Sequence, residues 1–175
     1  MPLGRNNVAE GVRENTHRLR PNKPFSFYAL LGFIIKNMAK KQPKTNEYKL
    51  RNEAFMQALR DGEEELYEIS QGVLVKILKQ GEGDRSPRGG SVVTVHYKGS
   101  LINGKVFDNS YERGYPEAFR LSDLIVGWQI ALTQMHVGDH WIVYIPYQLG
   151  YGTRDSGPIP AYSTLIFEVE LVAIM

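Results

Sequence analysis

The stretch VHYKGSLINGKVFDNS, residues 95–110, decides the fold class. Val93, Val95 and Tyr97 alternate with Thr94, His96 and Lys98, the period-two pattern of a half-buried strand. Asn103-Gly104 follows, a strong hairpin signal because both residue types tolerate positive φ. On the return, Phe107 is followed at once by the charged Asp108. Adjacent strand residues point to opposite faces, so a Phe107 that faces the interior should send Asp108 to water. A hairpin that carries a Tyr, a Phe and an Asp close together therefore raises the question of what holds the carboxylate near the rings.

Strands continue on both sides of this hairpin. GVLVKILKQGEG (72–83) reads as a strand ending in a Gly-punctuated loop, and KVFDNS (105–110) and AFRL (118–121) as short strands. HWIVYIPYQLGYG (140–152) and STLIFEVELVAIM (163–175) are long alternating ones. SDLIVGWQIALTQMH (122–136) carries the single helical pattern of this region, with Ile130, Leu132 and Met135 apolar and Gly138 as its stop. About five antiparallel strands and one short helix predict an α+β domain in which a sheet covers a helix. Upstream, NEYKLRNEAFMQALRDGEEEL (46–66) predicts a further helix. Asn46 is its candidate cap, Leu50, Ala54, Ala58 and Leu59 its apolar positions with Phe55 beside them, and Gly62 weakens its end. It is read as packed on, or tethered beside, the main domain.

The chain thus divides into residues 1–37, a basic and poorly ordered extension; 38–71, a helical segment; and 72–175, the strand-rich domain. Formal net charge is +2, but residues 1–37 alone carry six Lys/Arg against two Glu, so the remainder sums to −2. Nothing in that balance demands a nucleic-acid partner. FSFYALLGFII (25–35) is too short to span a bilayer as a helix. A basic lead before a short apolar core resembles a signal peptide, but KNMAKKQ supplies no small-residue cleavage site. Met38 also looks like a natural start, which would make residues 1–37 an upstream mis-assignment. Membrane association is expected only if residues 25–35 act as an anchor. Without a convincing export signal a cytoplasmic location is expected, with a periplasmic or membrane-tethered one as the alternative.

The chemistry-bearing residue types exclude more than they suggest. There is no cysteine, which removes disulfides, thiolate metal sites and a Cys nucleophile. His136 and His140 are four apart but separated by Val137-Gly138-Asp139, a helix end and turn, so no metal site is expected. The sequence offers Ser110, near Asp108, no evident histidine partner, so no hydrolytic triad is expected. Aromatic residues remain. Core packing is the default for rings in a small β-rich domain. However, Trp128 stands at a loop-to-helix junction and Tyr151 in LGYGTRDSGPIP (149–160), a loop too rich in Gly and Pro for core. A loop-lined aromatic pocket with one carboxylate suits a binding site.

Three blocks, VTVHYKGSLINGKVFDNS (93–110), LIVGWQIALTQMHVGDHWIVYIP (124–146) and YGTRDSGPIPAYSTLIFEVEL (151–171), together resemble the FKBP-type peptidyl-prolyl cis-trans isomerases, bacterial type, over roughly residues 72–174. The resemblance implies an antiparallel sheet around a short helix with a pocket between them. Tyr97, Phe107 and Asp108 would border that pocket and Phe119 would be a wall. Leu124 and Ile125 would flank its opening, with the Ile125 N–H donating to a substrate carbonyl. Trp128 would form the floor, Tyr151 would offer its hydroxyl, and Ile159 and Phe167 would complete the walls. The strand would be irregular near Asp108, so that Phe107 and Asp108 both border the pocket. Proline-containing polypeptides are the implied partners, with macrolides of the tacrolimus/rapamycin type as inhibitors and no cofactor. The alternative is a binding or chaperone module of the same fold with weak or no catalysis. Two departures from familiar members stand out. The 151–160 loop is about one residue short, with Asp155 or Ser156 where they carry a histidine. YPEAFRL (115–121) lacks their aromatic before Phe119.

Overall fold

The computed structural model describes residues 17–18 and 45–175. The readings made for residues 25–35 and for a chain start at Met38 lie outside those residues. An eight-stranded antiparallel sheet dominates, in the order β1-β2-β3-β7-β8-β4-β5, with β6 pairing along β4 as well. The strands are β1 (His17–Arg18), β2 (Tyr67–Glu68), β3 (Leu74–Lys79), β4 (Val92–Leu101), β5 (Val106–Asn109), β6 (Glu117–Arg120), β7 (His140–Ile145) and β8 (Leu165–Ile174). The strands expected from the sequence are thus joined by the two-residue β1 and β2. The helices are α1 (Thr45–Asp61), the one-turn α2 (Ser110–Arg113) and α3 (Val126–Leu132).

The sheet separates two apolar layers. On one face, Val93, Val95, Tyr97 and Leu101 of β4 pack with Val75, Val143, Ile145, Val169 and Leu171 over Trp128, Ala131 and Leu132 of α3. α3 approaches β7 closely because Gly127 has no side chain; a Cβ there would lie 2.3 Å from Ile145 Cγ2. On the other face, Phe55, Met56 and Leu59 of α1 cover Leu74, Ile102 and Tyr144 together with Leu66. Each such side chain contributes about 1.5–3 kcal/mol by leaving water, so α1 is packed on the domain rather than tethered beside it.

Three local expectations change. α1 runs from Thr45, not Asn46, and ends at Asp61, before Gly62, not at Leu66. Its buried stripe is Asn52, Phe55, Met56 and Leu59, while Leu50 is 57% exposed and Ala54 is also exposed. Both stripes have helical spacing, and the larger side chains take the sheet-facing side. The helix expected over 122–136 is shorter. Leu121–Asp123 forms a 3-10 turn, Leu124 and Ile125 are extended, and α3 spans only Val126–Leu132. In the hairpin, Gly104 alone adopts positive φ, at 81°. Leu101 N–H bonds to Lys105 C=O at 2.9 Å and Gly104 N–H to Leu101 C=O at 2.8 Å, a three-residue connection rather than a two-residue one.

The register after that turn answers the question posed by Phe107 and Asp108. Gly99 pairs with Asp108, but Ser100 pairs with Val106, so Phe107 is an extra residue in β5. A bulge of this kind interrupts the alternation of faces. Asp108 takes the core-side register of Gly99, and the Phe107 ring also reaches over Gly99, where a Cβ would be 2.5 Å from its Cε2.

Candidate active site

A cavity of about 450 Å³ opens between the sheet and α3. It is lined by Tyr97, Phe107, Asp108, Phe119, Asp123, Leu124, Ile125, Trp128, Tyr151, Ser156, Gly157, Pro158, Ile159 and Phe167. All ten residues singled out from the sequence are in that set. They arrive from β4, β5, β6, β8, the link before α3, α3 itself and the 146–164 loop. Asp123, Ser156, Gly157 and Pro158 were not singled out. Ser156, and not Asp155, lines the cavity; Asp155 instead accepts the Ala161 N–H at 2.7 Å.

The rings form one edge-to-face cluster. Trp128 meets Tyr97 at 5.3 Å and 85°, Phe167 at 5.1 Å and 88°, and Phe119 at 6.2 Å and 86°. Phe107 meets Phe167 at 5.5 Å and 85°. Such geometry sets positive ring edges against negative ring faces and adds about 0.5–1.5 kcal/mol per pair beyond burial. The buried Trp128 Nε1 finds no hydrogen-bond acceptor among the described residues. The result is a rigid apolar wall on three sides of the floor.

One polar assembly interrupts it. Tyr97 OH donates to Asp108 Oδ2 at 2.6 Å, and Arg113 Nη1 donates to Asp108 Oδ1 at 2.7 Å. Arg113 Nη2 also donates to the Tyr97 hydroxyl oxygen at 3.0 Å, and Arg113 Nε pairs with Glu117 Oε1 at 2.5 Å. Arg113 reaches these groups from α2, whose start is capped by Asn109 accepting the Tyr111 N–H and whose end is closed by Gly114 at φ 82°. Ser110, fully buried, ties α2 to β4 by accepting the Tyr97 N–H at 2.8 Å and donating to the Tyr97 C=O at 3.1 Å. Arg113, Glu117 and Ser110 were not expected in this role. Their signal lies in a turn whose charges become neighbours only when it folds back on β4.

The protonation states follow from these contacts. Burial pushes the Tyr97 hydroxyl well above the usual phenol range, and its hydrogen bond to the Asp108 carboxylate adds to the rise. For Asp108, burial acts to raise the pKa, but hydrogen bonds from Tyr97 and Arg113 and the Arg113 charge together outweigh it and hold the carboxyl below its ordinary value. Tyr151 is raised by burial and by the Asp108 charge. A depressed carboxylate keeps its contribution above its unfolded pKa and loses it as pH falls through the folded one. The ion pair and hydrogen bonds of this assembly are therefore expected to hold level from neutral pH down to about 4, the ordinary aspartate range, and to weaken only below it. A carboxyl NMR titration of Asp108 checks this; a midpoint near pH 5 contradicts it.

The entrance is shaped by backbone. Ile125 precedes α3 with φ −56° and ψ 149°, and its C=O accepts from Trp128 and Gln129 N–H at 3.0 and 3.2 Å. The Ile125 N–H has no acceptor among the described residues. Gln129 Nε2 holds the neighbouring Leu124 C=O at 2.7 Å. Opposite, Ser156 and Ile159 bracket a Gly157-Pro158 turn through two backbone bonds of 2.8 and 3.0 Å. That turn seats Ile159, 5% exposed, in the wall, while Tyr151 stays 43% exposed at the rim. Neither His136 nor His140 is near this cavity. His136 faces Ser86 Oγ at 3.4 Å and His140 faces Glu168 at 3.0 Å. Among the described residues no group of three or more His, Cys, Asp or Glu could hold a metal ion.

Residues 83–172 match the FKBP-type peptidyl-prolyl cis-trans isomerase family. The chain is 46% identical over 107 residues to the peptidyl-prolyl cis-trans isomerase Mip of Coxiella burnetii, covering 61% of this chain and 46% of that protein. It is 38% identical over 137 residues to the macrophage infectivity potentiator of Trypanosoma cruzi, covering 78% of this chain and 70% of that protein. It therefore spans less than half the length of the Coxiella protein. Among solved structures, FkpA of Escherichia coli superposes with a TM-score of 0.68 at 36% identity over 83% of this chain and 70% of that one. A Pseudomonas syringae peptidyl-prolyl isomerase gives 0.69 at 32% over 77% and 98%. A further relative, 36% identical over 142 residues, covering 81% of this chain and 60% of that protein, is the outer membrane protein MIP of Legionella longbeachae. That finding overturns the expected cytoplasmic location. The expectation rested on finding no cleavage site in residues 1–37, and a missing sequence signal carries no physical information about where a folded domain resides. Strands β4 to β7, most of β8, α3, the bulged hairpin and the aromatic cavity lie within the matched region, and the chain belongs to the FKBP-type peptidyl-prolyl cis-trans isomerase family.

Proposed function

We propose that this cavity accelerates cis–trans isomerisation of X-Pro bonds in polypeptides, assisting protein folding. The observation that carries the reading is the apolar ring-lined cavity floored by Trp128, with its one paired carboxylate at the rim. Amide rotation is opposed by about 18–20 kcal/mol of barrier because resonance must be broken. Uncatalysed X-Pro isomerisation takes tens to hundreds of seconds, slow enough to limit folding. Rotation needs no bond broken, so neither a nucleophile nor an acid–base pair is required.

The planar amide is more dipolar than the twisted one. Rings that replace water around it raise the planar form relative to the twisted form, which is differential binding in the productive direction. Each 1.4 kcal/mol of that difference gives about tenfold in rate. In this proposal the proline ring rests on Trp128 between Tyr97, Phe119 and Phe167. Ile125 N–H, free of any acceptor among the described residues, orients a substrate carbonyl. Tyr151 OH reaches the peptide from the rim, Phe107 and Ile159 close the sides, and Leu124 flanks the mouth. The Asp108–Tyr97–Arg113 assembly fixes the wall that the bulge creates.

The family binds proline-containing substrates and macrolide inhibitors; for this chain, macrolides of the tacrolimus/rapamycin type are proposed as competitors in the same cavity. Phe107→Ala is expected to lower kcat/KM on a Leu-Pro peptide by about tenfold, through the loss of one wall contact worth about 1.4 kcal/mol. It is also expected to weaken macrolide competition in the same assay. Unchanged kcat/KM in a folded Phe107→Ala protein contradicts the placement of substrate in this cavity.

A further inference from the structure

α1 lies beyond the residues that match the family, which begin at 83. It nevertheless touches the far end of the loop that supplies Tyr151 and Ile159 to the cavity. Asn52, fully buried on α1, accepts the Thr164 N–H on Oδ1 at 2.7 Å, and its C=O accepts from Thr164 Oγ1 at 3.4 Å. Its Nδ2 donates back to the Tyr48 C=O at 2.9 Å. One turn earlier, Tyr48 OH lies 2.9 Å from Ser163 Oγ. Ser163 gives its own proton to the Pro160 C=O at 2.7 Å, so Tyr48 must be the donor. A relay of two hydrogen bonds therefore links the helix to the residue next to Ile159.

The segment that leads from Tyr151 to these anchors is held from within by the Ser156–Ile159 pair and the Asp155–Ala161 bond, and from outside by α1. Tyr162 has φ 63°, in the left-handed region that non-glycine residues rarely occupy. Such a conformation persists only where its surroundings over-determine it. Here the Tyr162 N–H is bound to Gly152 C=O at 2.9 Å, and its ring lies against Tyr147 at 5.2 Å. Lys49 of α1 places its Nζ 5.7 Å from the ring centroid. A buried asparagine with all its polar atoms engaged is worth most where geometry has to be unique.

We infer that α1 is a working part of the isomerase site, with Asn52 and Tyr48 as positioning residues that set the Tyr151–Ile159 wall through Thr164 and Ser163. This rests on the isomerase reading above.

The test is a double-mutant cycle on kcat/KM for a Leu-Pro peptide with the full chain, using Asn52→Ala, Tyr48→Phe and Tyr151→Phe. Folding of each variant is checked by circular dichroism. Asn52→Ala is expected to lower kcat/KM about tenfold and Tyr48→Phe about threefold. Tyr151→Phe, expected to lower it about fivefold alone, should lower it less than about twofold in either background, since misplaced loops no longer present that hydroxyl. If Asn52→Ala does not fold, Tyr48→Phe decides, because it removes only an oxygen. Full activity in folded variants, or losses that simply multiply, overturns the inference. An inactive wild-type chain would instead overturn the isomerase reading itself.

Discussion

Gly99→Val is expected to lower kcat/KM on an X-Pro peptide by about a hundredfold, with a loss of about 1–3 kcal/mol in stability from overpacking. Valine suits a strand better than glycine does, so local propensity predicts the opposite sign. The expected loss comes from space. A Cβ at position 99 would lie 2.5 and 2.6 Å from Cε2 and Cζ of Phe107 and 2.7 Å from Cε1 of Phe167. Those two rings meet edge-to-face over the bare Cα of Gly99. Phe167 cannot retreat freely, since it also packs on Trp128 at 5.1 Å and is 4% exposed, whereas Phe107 is only partly buried. Phe107 therefore moves into the cavity that substrate would occupy. Urea unfolding together with kcat/KM separates the two effects, and a stable, fully active Gly99→Val protein contradicts this account of the wall.

Asp108→Ala is expected to lower kcat/KM about thirtyfold, close to 2 kcal/mol, the scale of a charge-assisted hydrogen bond. It removes the short bond from the Tyr97 hydroxyl, leaving it only the 3.4 Å contact to Glu117 Oε2, and leaves Arg113 held by Glu117. The fold should survive. The Asp108 side chain is 41% exposed, so its ion pair with Arg113 is screened by water and stabilises the domain only modestly. The Tyr97 ring keeps its contacts with Phe119 and Trp128. What changes is where the hydroxyl and the guanidinium point at the cavity rim. A variant that unfolds assigns the carboxylate a structural role, and one that is folded with unchanged kcat/KM removes it from the site.

These two positions also show how far the sequence reaches. The alternation from Val93 to Lys98 and the Asn103-Gly104 signal predict the β4–β5 hairpin, because strand faces and turn chemistry are local properties. The bulge at Phe107 is not local. It follows from pairing Gly99 with Asp108 and Ser100 with Val106, which depends on how two rings share the space over Gly99. The aromatic members of the cavity were legible by their place at junctions and in a Gly/Pro-rich loop, and through the family resemblance. Arg113 and Glu117 were not, since a charged turn reads as solvated surface until its contacts with Tyr97 and Asp108 are known. For α1 the helix was legible and its buried face was not. Leu50 and Ala54 share the spacing of Phe55, Met56 and Leu59, and only the sheet face with Leu74, Ile102 and Tyr144 selects between them.

The most direct test of the central claim is the cis–trans exchange rate of a Leu-Pro peptide, measured by NMR exchange with a catalytic amount of the full chain. The account predicts exchange far above the spontaneous rate of one event per tens to hundreds of seconds, suppressed when a tacrolimus-type macrolide is added. A folded chain that leaves exchange at the spontaneous rate contradicts it and makes the cavity a binding surface instead.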